Sequence, residues 1–181
     1  MFTVNHPWRS FGLAISLVLA AMTAAAAPWS PGKSVQTKAT LLAEPAAVVA
    51  GQPFTVGLRL QMPEHWHTYW INCGDSGMAT SIAWTLPPGF TAGPIQWPVP
   101  QRISDAGLVS FGYSGEVILL VEITPPPTLT AERVTLQAAV NWLECMEACL
   151  PGDANLALDL PVAGGPMQTN AELSATFAAA R

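Results

Sequence analysis

The chain has 181 residues, only 10% of them charged, with 17 prolines, 14 glycines and a formal net charge of −5. Few charges and many turn formers suit an all-β domain and exclude a helical bundle. With no basic cluster, nucleic acid and anionic membrane surfaces are excluded as partners.

Residues 1–27 read as a cleavable secretory signal peptide. Arg9 supplies the basic start, Phe11 to Met22 an uncharged apolar stretch too short to span a bilayer, and Ala24 to Ala27 the small residues of a cleavage site. Cleavage after Ala25 or Ala26 avoids Pro28 as a first residue. No later segment has 18 consecutive apolar residues, so the mature chain is expected to be soluble in an exported, oxidising compartment. About 155 residues would remain, enough for one domain.

Residues 28–37 are expected to be an exposed lead-in. Phe54, Val56, Leu58 and Leu60 alternate with Thr55, Gly57, Arg59 and Gln61, the pattern of a half-buried strand. His65 to Trp70 is a second extended run, with 65, 67 and 69 on one face and 66, 68 and 70 on the other. Asn72-Cys73-Gly74-Asp75-Ser76-Gly77 is turn chemistry. Ser81 to Leu86 is a short strand closed by Pro87-Pro88-Gly89. Pro94 to Pro100, with three prolines, is an edge or irregular piece. Glu116 to Ile123 is β-prone. After Pro125-Pro126-Pro127, Val134, Leu136, Ala138, Val140 and Trp142 share a face, and Asn155 to Leu160 alternates again.

From 164 to 181 the pattern changes. Asn170 can cap a short helix, with Leu173 and Phe177 four apart. Seven or eight short strands followed by a short C-terminal helix predict an immunoglobulin-like β-sandwich over residues 38–163. The Cys–Trp–Cys spacing of true immunoglobulin domains is missing.

Two of the three cysteines, Cys145 and Cys149, lie four residues apart at the end of a strand-like run. Spacing alone leaves three readings open: a redox pair, a structural clip, or a metal site. Chain entropy gives so small a loop only ~2 kcal/mol of stabilisation, against ~4–5 kcal/mol for a loop of a hundred residues. A purely structural bridge would therefore gain little. Glu144 and Glu147 flank the pair, and no Lys or Arg lies between Arg133 and Arg181. Nearby carboxylates disfavour a thiolate, which suits a carrier whose partners do the activating. For a metal, Cys145, Cys149, His65, His67, Met146 and Cys73 are ligands suited to copper(I) or zinc, though without the spacing of a zinc motif.

Trp142-Leu143-Glu144-Cys145-Met146-Glu147-Ala148-Cys149-Leu150-Pro151-Gly152 resembles the active-site segment of the N-terminal (alpha) domain of the DsbD and ScsB thiol:disulfide interchange proteins. Three further segments share the resemblance, in the same order. Glu64 to Gly77 is similar to that family's GWHTYW-(R/N)NPGDSG stretch. Leu86 to Phe90 with Ile95 to Pro98 is similar to the segment that follows it. Phe111-Gly112-Tyr113-Ser114-Gly115-Glu116 is similar to its cap loop.

The resemblance covers about residues 38–162. It implies an immunoglobulin-like periplasmic domain in which Cys145 and Cys149 exchange electrons, as a component of a protein-disulfide reductase. A thioredoxin-like domain, reduced through a transmembrane partner, would be the donor. A disulfide-bearing periplasmic protein would be the acceptor. No cofactor is expected, though the association of the ScsB branch with copper tolerance keeps a copper- or zinc-binding module as the alternative. Phe111 would shield the pair with Tyr113 as its neighbour; core packing is the other reading of both. His67 and Tyr69 match positions near the disulfide. Cys73 stands where the family pattern has proline, as a buried thiol, an intermolecular bridge or a third participant. The chain carries neither a transmembrane block nor a thioredoxin-like C-x-x-C, so it reads as a stand-alone version or a piece of a longer protein.

Overall fold

Alternating hydrophobicity becomes ten strands and one short helix in a computed structural model that describes Met1, residues 35–105 and residues 107–181. The expected signal peptide and most of the lead-in lie outside the described residues. The strands are β1 (Lys38–Ala43), β2 (Phe54–Gln61), β3 (His67–Gly74), β4 (Ser81–Thr85) and β5 (Thr91–Gln96). They continue with β6 (Gln101–Asp105), β7 (Leu108–Ser114), β8 (Glu116–Thr124), β9 (Arg133–Cys145) and β10 (Cys149–Pro161), followed by α1 (Ser174–Ala179).

One sheet has the order β1-β2-β8-β5. The other runs β10-β9-β3-β7-β6, with β4 also paired to β9. Every strand pairing in both is antiparallel. The two sheets close on each other as an immunoglobulin-like sandwich. Phe54, Val56, Val121 and Ile123 of the first sheet meet Val134, Leu136 and Leu160 of the second. Further along, Leu58, Leu60, Val117 and Leu119 meet Ala138, Val140, Trp142 and Tyr113. Each such side chain, fully buried, contributes about 1.5–3 kcal/mol of hydrophobic stabilisation.

β8 is apolar on both faces for a reason the strand itself does not reveal. Its outward residues Ile118 and Leu120 are covered by Phe177 of α1. Residue 57 must be glycine under this helix, because a Cβ there would stand 2.6 Å from the Ile118 side chain. The helix starts later than its expected cap. Asn170 Oδ1 accepts the Glu172 N–H at 3.1 Å, but Leu173 occupies the N-cap position without a side-chain bond.

The proline-rich piece is an edge, as expected. Pro94 lies in β5 where the pairing with β8 shifts register between Ala92 and Ile95. Three elements were not anticipated as strands: β1, β6 and β7. The segment expected as a loop over 111–116 is instead the end of β7, a turn at Gly115 with φ 75°, and the start of β8. His65 departs from its expected face. It adopts φ 70° in a turn closed by the Trp66 N–H donating to Pro63 O, so the strand begins only at His67.

Candidate active site

β9 and β10 form one long hairpin whose registered partners run from Arg133↔Pro161 up to Cys145↔Cys149. Strand pairing thus places the two cysteines opposite each other across the last rung, with Cα atoms 4.1 Å apart. A disulfide joins them. Met146, Glu147 and Ala148 make the turn, with the Met146 N–H donating to Ala148 O at 3.3 Å. The two sulfurs are unequal. Cys145 is 3% exposed, whereas Cys149 is an exposed residue on an edge strand.

β3 backs the bridge. His67 is the registered partner of Cys145. Alternation along the strand brings Tyr69 to the same face as His67. The Tyr69 hydroxyl lies 3.2 Å from His67 Nε2 and 3.8 Å from Cys149 Sγ. The two rings meet edge to face at 5.2 Å. Tyr69 is only 2% exposed, and its ring occupies the space where a side chain at Gly77 would be: a Cβ there would stand 2.2 Å from it. Gly77 has φ 114°, a conformation that glycine alone adopts readily.

A hollow of about 230 Å³ opens in front of this group. His67 and Tyr69 form its floor, the 145–149 hairpin one wall, and Ser76, Ser110, Ile103 and Leu108 the other. The Ser76 and Ser110 hydroxyls are 2.9 Å apart, and the Val109 N–H donates to Asp75 Oδ2, which ties the 75–77 turn to β7. The expected turn chemistry of Asp75 and Ser76 therefore builds a wall of the hollow.

The structure brings Cys145, Cys149, His67 and Tyr69 together. It places the other candidates elsewhere. Phe111 alternates with Ser110 and Gly112, so its ring points to the opposite face of β7. There it packs edge to face on Trp70, with centroids 6.5 Å apart. Tyr113 is buried in the core and donates its hydroxyl to Pro98 O at 2.8 Å; burial pushes its pKa up to about 12. Cys73 is half-buried near the far end of β3, outside the lining of the hollow. Its thiol donates to Trp70 O at 3.2 Å, and burial pushes its pKa up. His65 is exposed beside Glu64. Among the described residues no three His, Cys, Asp or Glu side chains gather as metal ligands would.

Ile103 and Leu108 carry no sequence signal, lying in short runs with no clear period. Glu144 was legible only as a charge beside the cysteines. It is in fact wholly buried on the core side of β9, turned away from the sulfurs.

Residues 38–161 match the family described as thiol:disulfide interchange protein DsbD, N-terminal. The chain belongs to this family. Among solved structures, it is similar to the N-terminal periplasmic domain of ScsB from Proteus mirabilis. The TM-score is 0.59 at 21% identity, over 83% of this chain and 55% of that one. The chain thus spans little more than half the length of that structure, and the likeness establishes the fold. A second solved structure with some similarity is the reduced N-terminal domain of DsbD from Neisseria meningitidis, with TM-score 0.37 and 15% identity over 72% of this chain and 90% of that one. No curated protein sequence matches the chain. With the family's domain and the Cys145–Cys149 bridge, the protein is a thiol–disulfide exchange module.

Proposed function

We propose that this module passes electrons between partner proteins in the periplasm through Cys145 and Cys149, with Cys149 as the sulfur that partners meet. The observation that carries this reading is the asymmetry of the bridge: one sulfur belongs to an exposed residue at a hollow and the other is buried against β3. A donor thiolate attacks Cys149 Sγ. The S–S bond breaks, the electron pair goes to Cys145 Sγ, and a mixed disulfide forms at Cys149. A second donor thiol then displaces Cys149, so two electrons and two protons enter the pair. The acceptor reaction runs the same steps in reverse, with Cys145 resolving the mixed disulfide.

Tyr69 supports the exchange at one end. Its hydroxyl is placed to donate to Cys149 Sγ when that sulfur carries negative charge, and His67 holds the hydroxyl from behind. Among the described residues His67 is the only basic side chain lining the hollow, which fits a pair that depends on its partners for activation. Ile103 and Leu108 are the apolar groups facing the hairpin across the hollow, and they serve as its shield. Phe111 braces the shielding strand from its other face against Trp70. Tyr113 anchors the same strand through Pro98.

The donor is a thioredoxin-like domain and the acceptor a disulfide-bearing periplasmic protein. Any link to the membrane runs through a transmembrane partner, either a separate protein or a further part of a longer one. Export follows from the leader pattern of residues 1–27.

The test is trapping. Mixed with an oxidised thioredoxin-like protein, Cys145→Ser accumulates a mixed disulfide, because the Cys149 thiolate opens that protein's disulfide and no Cys145 is left to resolve the bond, while Cys149→Ser forms none and loses exchange. Both variants stay folded, because the bridge contributes only ~2 kcal/mol. Partner reduction that survives loss of both cysteines overturns the reading.

A further inference from the structure

Glu144 is the one carboxylate in the described core, and the exchange chemistry does not use it. Its side chain is 0% exposed, yet each oxygen has a hydrogen-bond donor. Oε1 accepts the Gln36 N–H at 2.6 Å and Oε2 the Thr37 N–H at 2.7 Å. Oε2 also accepts from Trp142 Nε1 at 3.2 Å. A buried acid is costly to desolvate, and partners on both oxygens are what make it tolerable. Charged acceptors give the shorter and stronger class of hydrogen bond, so this is a firm attachment.

What the attachment joins is unusual. Gln36 and Thr37 lie 108 and 107 residues away in sequence, just before β1, on the edge of the opposite sheet. Glu144 is bonded through the chain to Cys145. Its cross-strand partner is Leu150, adjacent to Cys149. Two rungs below, the Trp142 indole fills the site of a side chain at Gly152, where a Cβ would stand 2.4 Å from it. The β9 end of the hairpin is therefore gripped from the core side, while β10 stays an exposed edge at Cys149.

We propose that Glu144 is a positioning residue for the redox pair: by holding the Gln36–Thr37 backbone it keeps Cys145 stationary, so that the dithiol recloses readily after each exchange. A disulfide's resistance to reduction depends on how well the fold holds its two sulfurs within bonding reach. Releasing the grip lets the end of β9 move and shifts the balance toward the dithiol. The inference rests on the pair being an exchanging one, but its test needs no protein partner.

The measurement is the equilibrium of the full chain with dithiothreitol. The reagent's two thiols become a cyclic disulfide as Cys145–Cys149 takes up two electrons and two protons. Glu144→Gln keeps the shape but sets an N–H₂ against a backbone N–H. It is expected to move the equilibrium about tenfold toward the dithiol, or about 30 mV for a two-electron couple. Thr37→Pro removes one donor at the other end of the grip and moves it in the same direction. Thr37→Ala keeps that donor and leaves it within twofold of the parent. Val56→Ala, in the distant part of the core, lowers the melting temperature and also leaves it within twofold. The proposal is overturned if Glu144→Gln only lowers the melting temperature, or if Thr37→Ala or Val56→Ala shifts the equilibrium as far as Thr37→Pro. Should Glu144→Gln not fold, the comparison of Thr37→Pro with Thr37→Ala decides. Failure of partner trapping with an intact shift here would sink the exchange function and leave the grip standing.

Discussion

The two sheets of the sandwich are built from the same alternating code, yet only one carries chemistry. In the four-stranded sheet, β2 and β8 bury nearly every apolar residue, because one face meets the other sheet and α1 covers part of the second face. In the other sheet, β9 alternates exposed and buried without error from Arg133 to Trp142. The alternation fails only at Leu143 and Cys145, outward positions that are half-buried and buried, on either side of the inward Glu144. A strand that stops obeying its own period is being read from both sides. Here one side is the grip on Glu144 and the other is His67 behind the bridge. One sheet is a scaffold, and the tip of the other is a site.

That division can be attacked from the scaffold first. Phe177→Ala removes a ring with 0% exposure between α1 and β8. Chemical denaturation should show a loss of about 3–5 kcal/mol. Exchange by the molecules that remain folded should be unchanged, and a parallel loss of exchange would mean the sheets are not independent.

A smaller effect is expected at the junction. Gly152→Ala pushes a methyl into the buried Trp142 indole, whose N–H bonds Glu144. Overpacking there should cost about 1–3 kcal/mol. Unlike Phe177→Ala, it should also make the bridge easier to reduce, as a dithiothreitol titration would show.

At the site itself, Tyr69→Phe deletes the hydroxyl 3.8 Å from Cys149 Sγ and leaves the ring. Stability should change by no more than about 1 kcal/mol. The rate of exchange with a reduced thioredoxin-like protein should fall several-fold, and an unchanged rate would reduce Tyr69 to packing.

The smallest effect belongs to the scaffold's rim. The Arg181 guanidinium, 2.6 Å from Glu44, holds that carboxyl below the usual glutamate range; burial opposes the shift and Thr55 adds to it. A depressed carboxylate pKa means the stabilisation is present above the unfolded value, ~4.3, and is lost as pH falls through the lower folded value. The pair is partly exposed, so less than about 1 kcal/mol is at stake. Arg181→Ala should flatten that part of an acid-unfolding curve and change nothing in exchange.

Much of this was legible along the chain. β2, β4, β8 and β9 begin and end close to where period-two alternation and proline-glycine punctuation put them. Cys145 and Cys149 were conspicuous because only three cysteines exist. His67 and Tyr69 share a strand face, but only the resemblance to the family set that face near the disulfide. Phe111 was harder: its distance along the chain from the cysteines says nothing about which face of β7 it takes, and β7 itself was not anticipated as a strand. His65 left its face because a turn with positive φ precedes β3, and only glycine usually signals such a turn. Ile103 and Leu108 could not have been found, since their role comes from pairing β6 with β7 beside the hairpin.

Local order decided the strands, the turns and the bringing of two sulfurs to one rung, because period-two patterning and short-range pairing are encoded within a few residues. Tertiary structure alone decided that Glu144, set inward by the alternation of its strand, finds a donor for each oxygen there, and that Cys149 rather than Cys145 stays open. Both outcomes depend on backbone groups a hundred residues away and on a second strand behind the hairpin. A buried charge finds its partners only when the whole chain has closed around it.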